Sequence, residues 1–391
     1  MISIKCPLYG IIYITKRMNT IINTPEFKRL HNLRQLGITY LEFPSANHTR
    51  YEHSIGVSHL TKLLMTSLKK HHLELNITEN MIELTQIAGL IHDIGHGPFS
   101  HLYDDHFSKG IFHEERGIIL FKNMVSKYNL NFNSDEIQYI INCINPLESN
   151  IYDYKFQIVA NKMSAIDVDK IDYIQRDSYH LGFGINEKYQ ELLDSCRVVN
   201  YNNNLVLGWS NDIEDKILSL FITRYRLHKN IYCHRNVKSY EIYLKHILKK
   251  IFEIDIPWIN LTDNIITQSW NNEIIELKNR IDSGEIYNMV KEVVLYNITP
   301  KEEYDLQNEL KEYITTLKNK NKKQNKHNVL LIKYTIGFGI KDTLKKIVFF
   351  DNYTRSISDP QKITGFCREK YDTFIAPLMN DETIYRVYCE Y

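Results

Sequence analysis

The sequence predicts a mainly α-helical protein with short N-terminal strands and a small mixed α+β lobe near the C-terminus. Through most of the first 300 residues, apolar side chains recur at three- and four-residue spacing between short polar breaks, the period of amphipathic helices. Short β-prone runs stand out at Leu8 to Ile14, Asn203 to Gly208, Val329 to Ile336 and Ile347 to Phe350. Between residues 318 and 327, KNKNKKQNKH holds five lysines and no apolar residue, which marks a solvated loop. A linker is its plain reading; polyphosphate or RNA binding and nuclear import are the alternatives. These signals divide the chain into a strand segment over 1–20, a helical domain over 21–300, and a C-terminal lobe over 301–391 with the lysine-rich loop at 318–327.

The elements follow in order. Leu8 to Ile14 is a strand or hairpin piece, too short to span a membrane. The residues after it, Thr15, Lys16 and Arg17, are not the small residues of a secretory cleavage site. A helix runs from the N-cap Thr78, with Glu79 in its first turn, through Ile82, Ile87, Ala88 and Ile91. Gly95, Gly97 and Pro98 stop it, which puts His92 and Asp93 in its last turn.

With 391 residues, 43% hydrophobic and 24% charged, the chain can bury a substantial core, which excludes a disordered or low-complexity protein. Its 48 Lys+Arg against 47 Asp+Glu leave a formal charge of +1, so any polyanion site is a local patch. Six scattered cysteines (Cys6, Cys143, Cys196, Cys233, Cys367, Cys389) show no C-x-x-C spacing. That usage predicts reduced thiols in a cytoplasmic protein, with nuclear entry through the lysine-rich run left open. No membrane association is expected.

The chemistry concentrates in an ordered set: His53 in RYEHSIG, His92 and Asp93 in GLIHDIGHGPFSH, and Asp169 in IDVDKIDY. Two imidazoles and two carboxylates suit one divalent transition ion, whether Fe, Mn, Zn or Ni. Adjacent helical residues point about 100° apart, so His92 and Asp93 share an ion only near a helix end, where the three segments must converge. Downstream, His101 and Asp104 are three apart and share a face if helical, which suits a carboxylate orienting an imidazole for proton transfer. Asp169, Tyr173 and Asp177 recur every four residues, as do Arg224, His228 and Tyr232. From spacing by itself, these trios fit inward polar stripes or two solvated faces.

At NTPEFKRLHNLRQLG, FPSANHTRYEHSIGVSHL, QIAGLIHDIGHGPFSH, PLES, NKMSAIDVDKIDYIQRDSYHLG, TRYRLHKNIYCHR and YRVYC, the sequence resembles the HD-domain superfamily of metal-dependent phosphohydrolases. Within it, the likeness is to deoxynucleoside triphosphate triphosphohydrolases whose vertebrate member carries a sterile alpha motif before its HD domain. No such motif is expected here, because the HD region starts almost at Met1. The resemblance implies a helical HD core and metal ligation by His53, His92, Asp93 and Asp169. It implies that His101, Asp104 and His113 surround the bond being broken and that His96 contacts the α-phosphate. Arg50, Lys170, Tyr173, Arg224 and His228 match phosphate-contacting positions. Gln35, Asp177 and Tyr232 match the sugar pocket, where the Tyr ring crowds a ribose 2′-hydroxyl, and Gln35 and Leu36 lie nearest the base. The implied reaction releases a deoxynucleoside and inorganic triphosphate, with Mg on the substrate polyphosphate and a dimeric or tetrameric homo-oligomer.

The chain departs from the vertebrate pattern at the guanine-nucleotide activator site. Asn23 stands for an Asp, Lys28 and His31 replace a Gln and an Arg, and Glu191, Ser210 and Asp212 replace basic residues, while His234 and Arg235 keep a basic pair. Hydrolysis independent of GTP is the expectation. The competing readings are another HD phosphohydrolase, a nucleotidase or phosphodiesterase, and a catalytically idle module that binds single-stranded nucleic acid.

Overall fold

The computed structural model describes residues 2–184, 189–252, 257–267, 272–296, 298–322, 328–336, 346–351, 363–364 and 382–390. They are predominantly helical, as expected, and divide into two compact units. The first comprises Met1–Arg224, Trp258–Asp263 and Asp342–Lys370; the second comprises Tyr225–Pro257, Asn264–Lys341 and Tyr371–Tyr391.

In the first unit, β1 (Ile2–Cys6) and β2 (Gly10–Ile14) form an antiparallel hairpin that pairs Ile2 with Ile14 and Cys6 with Gly10. Leu8 and Tyr9, expected in the strand, instead belong to its turn. A run of helices follows: α1 (Lys16–Ile22), α2 (Pro25–Lys28), α3 (Arg50–His71), α4 (Glu79–Ile91), α5 (His101–Phe107), α6 (His113–Lys127), α7 (Ser134–Ile144) and α8 (Val168–Leu181). Helices α9 (Tyr189–Ser195) and α10 (Glu214–Leu227) flank a small sheet.

Helices α3 and α4 position the site. Val57, Leu60, Leu64 and Leu68 of α3 are buried, as are Ile87, Ala88, Leu90 and Ile91 of α4. The helices meet at Gly89, where a Cβ would lie 2.8 Å from Thr61 Oγ1 and 3.2 Å from Val57 Cγ1. Only a bare Cα lets the backbones approach so closely. Thr78 caps α4 as expected, its hydroxyl accepting from the Met81 N–H at 3.1 Å. The helix ends at Ile91, so His92 is its C-cap and Asp93 lies in the turn beyond, slightly later than the spacing suggested.

The sheet of this unit has the order β3 (Cys196–Tyr201), β4 (Asn204–Ser210), β7 (Phe349–Phe350), β8 (Ile363–Thr364). Asn203, read as strand, is a turn residue: Asn202 and Asn203 take φ of 51° and 63°, the left-handed pair that a two-residue hairpin turn needs.

The second unit holds α11 (Arg235–Ile251), α12 (Asn272–Asp282), β5 (Asn288–Tyr296), α13 (Pro300–Lys322), β6 (Val329–Ile336) and β9 (Glu382–Cys389). β9 is the central strand, antiparallel to both β5 and β6. The strand period of two is visible in its packing: Val293, Val329, Leu331, Tyr385 and Val387 meet Leu306, Leu310, Ile314 and Leu317 of α13, while Val294, Tyr334, Ile336 and Ile384 face Tyr225 and Cys233. Across residues 300 and 301, β5 pairs with β9 in one sheet. The lysine-rich segment differs from a pure loop. Anchored by Leu317, α13 continues through Lys322, and residues 323–327 lie outside those described. Among the described residues, no helix is long and apolar enough to cross a membrane.

Candidate metal centre

Three segments converge as the charge pattern requires. His53 lies in the first turn of α3, His92 caps α4, Asp93 follows it, and Asp169 is the second residue of α8. His53 Nε2 is 3.2 Å from His92 Nε2, 3.5 Å from Asp93 Oδ2 and 3.0 Å from Asp169 Oδ1. His92 Nε2 is 3.4 Å from both Asp93 Oδ1 and Asp169 Oδ1. Donor atoms about 2.0–2.2 Å from a single ion stand about 3.0 Å apart in octahedral and about 3.4 Å apart in tetrahedral geometry, so these separations fit.

The far sides of the two rings make the stronger case. His53 Nδ1 lies 2.8 Å from Asp172 Oδ2, and His92 Nδ1 lies 2.8 Å from the Gly89 carbonyl. Both partners are acceptors, so both Nδ1 atoms carry the proton, and in the neutral rings two Nε2 lone pairs face each other. Such a pair calls for a positive charge between them, either a proton shared by the two rings or a metal ion. The surrounding carboxylates favour positive charge here: burial would lower the His53 pKa, but hydrogen bonds to Asp169 and Asp172, with the charge of Asp93, push it up to about 10. Burial would raise Asp93, yet His92, Arg50 and His96 hold its carboxyl well below the usual range.

Around this cluster sits a second group. Arg50, 2% exposed, ion-pairs with Asp93 and donates from Nε to Ser100 Oγ at 2.6 Å. Phe99 and Ser100 hold φ of 56° and 55°, a strained turn clamped where the Phe99 N–H donates to Asp263 at 2.7 Å. His96 lies 3.3 Å from Asp93 and stacks on His113, ring centroids 3.8 Å apart. Its Nδ1 is buried without a hydrogen-bond partner among the described residues.

Asp104 does not orient His101. It accepts from His113 Nδ1 at 2.8 Å and pairs with Arg116, because the carboxylate turns inward while His101 is exposed at the rim. His101 remains nearby, 5.4 Å from the His96 ring and 6.2 Å from that of His113. Desolvation of its ring, then the charges of Arg50 and His113, lower its pKa to about 4, although the residue as a whole is exposed. His101, Asp104, Phe112, His113 and Lys162 line a cavity of about 360 Å³.

On α8, Lys170 follows Asp169, and Tyr173 OH accepts from Arg224 Nε at 3.0 Å. Gln35 and Leu36 are half-buried, and Gln35 Oε1 has no partner among the described residues. Asp177 is buried against His48, its Oδ1 2.7 Å from His48 Nε2. His228 and Tyr232 belong to the second unit, in a π-helical turn over His228–Tyr232, with ring centroids 4.8 Å apart.

The HD-domain family model matches residues 50–177, the stretch that contains His53, His92, Asp93 and Asp169. An HD domain-containing protein of Acanthamoeba polyphaga mimivirus is 33% identical over 396 aligned residues, covering 88% of this chain and 84% of that protein. The chain belongs to the HD-domain family. It is also similar to the deoxynucleoside triphosphate triphosphohydrolase SAMHD1 homolog of Dictyostelium discoideum, 34% identical over 74% of this chain and 60% of that protein. SAMHD1 of Gallus gallus is 28% identical over 98% of this chain and 71% of its own length.

Several residues of this HD site escape sequence reasoning. Asp172 and Arg176 are four apart on α8 and fully buried, a spacing that an exposed i,i+4 ion pair would share. His48, Ser100, Arg116 and Asp263 gave no signal of their own, since each acts by contacting a residue distant in sequence.

Proposed function

We propose that the chain hydrolyses deoxynucleoside triphosphates at the α-phosphorus to a deoxynucleoside and inorganic triphosphate. The observation that carries this reading is the facing pair of His53 and His92 Nε2 atoms beside two carboxylates, adjoining the cationic residues Arg50, Lys170 and Arg224. His53, His92, Asp93 and Asp169 would hold a divalent transition ion, which when bound supplies Lewis-acid polarisation of the α-phosphoryl oxygen. Arg50, Lys170 and Arg224 offset polyphosphate charge, with Tyr173 fixing the Arg224 guanidinium. His113, held by Asp104, stacks on His96 and fixes that ring beside the α-phosphate. His101, with a pKa near 4 in the protein alone, gains proton affinity when an anionic phosphate lies beside it, which brings it towards the range of a proton donor.

Incubating the protein with each dNTP plus Mn or Mg and resolving the products tests the proposal. Triphosphate and deoxynucleoside are expected; orthophosphate from a monophosphate would indicate a nucleotidase instead. The resemblance at Gln35, Asp177 and Tyr232 makes a second prediction, about the sugar. GTP hydrolysis should run at least about tenfold slower than dGTP hydrolysis, because a hydroxyl pressed against the Tyr232 ring loses solvation. Tyr232→Ala should narrow that gap; equal parent rates on both nucleotides would contradict it.

Activity should not require GTP. Asn23 donates its amide to the Asn19 carbonyl at 2.9 Å, Glu191 is paired with Lys216, and Ser210 contacts Asp212, none of which presents a cation to an activator phosphate. We propose a homo-oligomer, dimer or tetramer, whose state GTP leaves unchanged. A dATP assay with and without GTP, beside size-exclusion chromatography with light scattering, checks both; GTP-dependent activation with a change of assembly would count against them.

A further inference from the structure

We propose that Tyr9, in the turn of the N-terminal hairpin, is a positioning residue for His53 and acts through Asp172. Tyr9 OH donates to Asp172 Oδ1 at 2.8 Å. The same oxygen accepts from Arg176 Nη2 at 2.9 Å, while Oδ2 accepts from Arg176 Nε at 2.8 Å and from His53 Nδ1 at 2.8 Å. Four donors thus fix one fully buried carboxylate, and with it the rotation of the imidazole whose Nε2 faces the other ligands.

The donors are not equivalent. Arg176 lies one turn along the same helix as Asp172 and can follow it if α8 side chains shift together. Tyr9 comes from 163 residues away and ties the carboxylate to a separate element. Its ring is set near His59, centroids 5.4 Å apart, and Arg176 also points both terminal nitrogens at Cys6 Sγ of β1, 3.9 Å away. Burial, then the Asp172 charge, raise the phenol pKa well above its usual value, so Tyr9 stays a donor at any working pH. The hairpin is therefore built into the support of the metal site and is not an appendage to it.

Tyr9→Phe keeps the ring and removes only the hydroxyl, so the fold should survive. Outer-shell partners of ligating histidines are worth about 10–100-fold in metal affinity, and one bond further out about 3–10-fold is expected. The experiment titrates the metal-free protein with Co²⁺ against a competing chelator and reads the visible cobalt absorption bands. Tyr13→Ala, on the exposed face of the same hairpin, is the control. The inference holds if Tyr9→Phe weakens Co²⁺ binding by that factor and alters the bands, while Tyr13→Ala matches the parent. Parent-like or tighter binding in Tyr9→Phe would overturn it, as would equal weakening in Tyr13→Ala, which would mark general loosening of the hairpin. The inference rests on the metal reading of the site: a parent protein that binds no Co²⁺ would overturn both, whereas normal parent binding with an unaffected Tyr9→Phe removes this inference alone.

Discussion

Replacing His92 by Ala together with Asp93 by Asn should lower dNTP turnover by about a thousandfold or more, since outer-shell changes at metal sites already cost about 10–100-fold and in the proposed mechanism these two residues would bind the ion directly. The choice of Asn is dictated by Arg50. Its guanidinium is buried and ion-paired with Asp93, so alanine there would strand a buried cation at a cost of about 3–5 kcal/mol, and lost activity could then reflect unfolding. Asparagine leaves an oxygen for Arg50 while removing the negative charge that a metal needs. Circular dichroism and the melting temperature should stay near those of the parent protein while product release, followed chromatographically, disappears. A variant that keeps a tenth of its activity, or a parent protein that stays active after chelation removes all metal, would refute the metal-dependent reaction.

His53, His92, Asp93 and Asp169 were readable as candidates because metal ligation constrains residue type: His and Asp at a glycine-rich helix end have no packing reason to be there. Their supports were not, because hydrogen bonding between distant segments leaves no periodic trace. Asp104 illustrates the limit. Its three-residue spacing from His101 is a helix-face signal, but the side chain turns to His113 and Arg116 across a loop. Local spacing fixes which face a residue occupies and says nothing about which neighbour wins its charge. The long-range strand pairing behaves likewise. Val329 to Ile336 was legible from β-branched composition, whereas β5, with Lys291 and Glu292 in its middle, becomes a strand only because β9 offers it a hydrogen-bonded edge. The π-helical turn at His228–Tyr232 also lies beyond a reading that assumes 3.6 residues per turn.

Gly56→Ala should be among the most damaging single-methyl changes in the chain. An added Cβ would lie 2.0 Å from Asp172 Oδ1 and 2.3 Å from Arg176 Nη2, far inside van der Waals contact. Neither group can yield cheaply, since both are fully buried and bonded to each other, and Asp172 also holds His53 and Tyr9. Burial would raise the Asp172 pKa, but Arg176 and His53 outweigh it and keep the carboxyl at about 2, so the methyl group displaces a charge and not a neutral acid. Alanine gains about 1 kcal/mol over glycine in a helix interior. Against that stand about 1–3 kcal/mol of overpacking and about 3–5 kcal/mol for disrupting a buried ion pair. The unfavourable contributions prevail, and a fall in melting temperature of roughly 10 °C is expected. Metal affinity should fall with it, because the Asp172 carboxylate can no longer aim the His53 ring. Scanning calorimetry and a Co²⁺ titration of the same preparation measure the two effects. If Gly56→Ala melts and binds cobalt like the parent protein, Asp172 is free to move without consequence, and the orientation of His53 must be imposed by the fold of α3 itself.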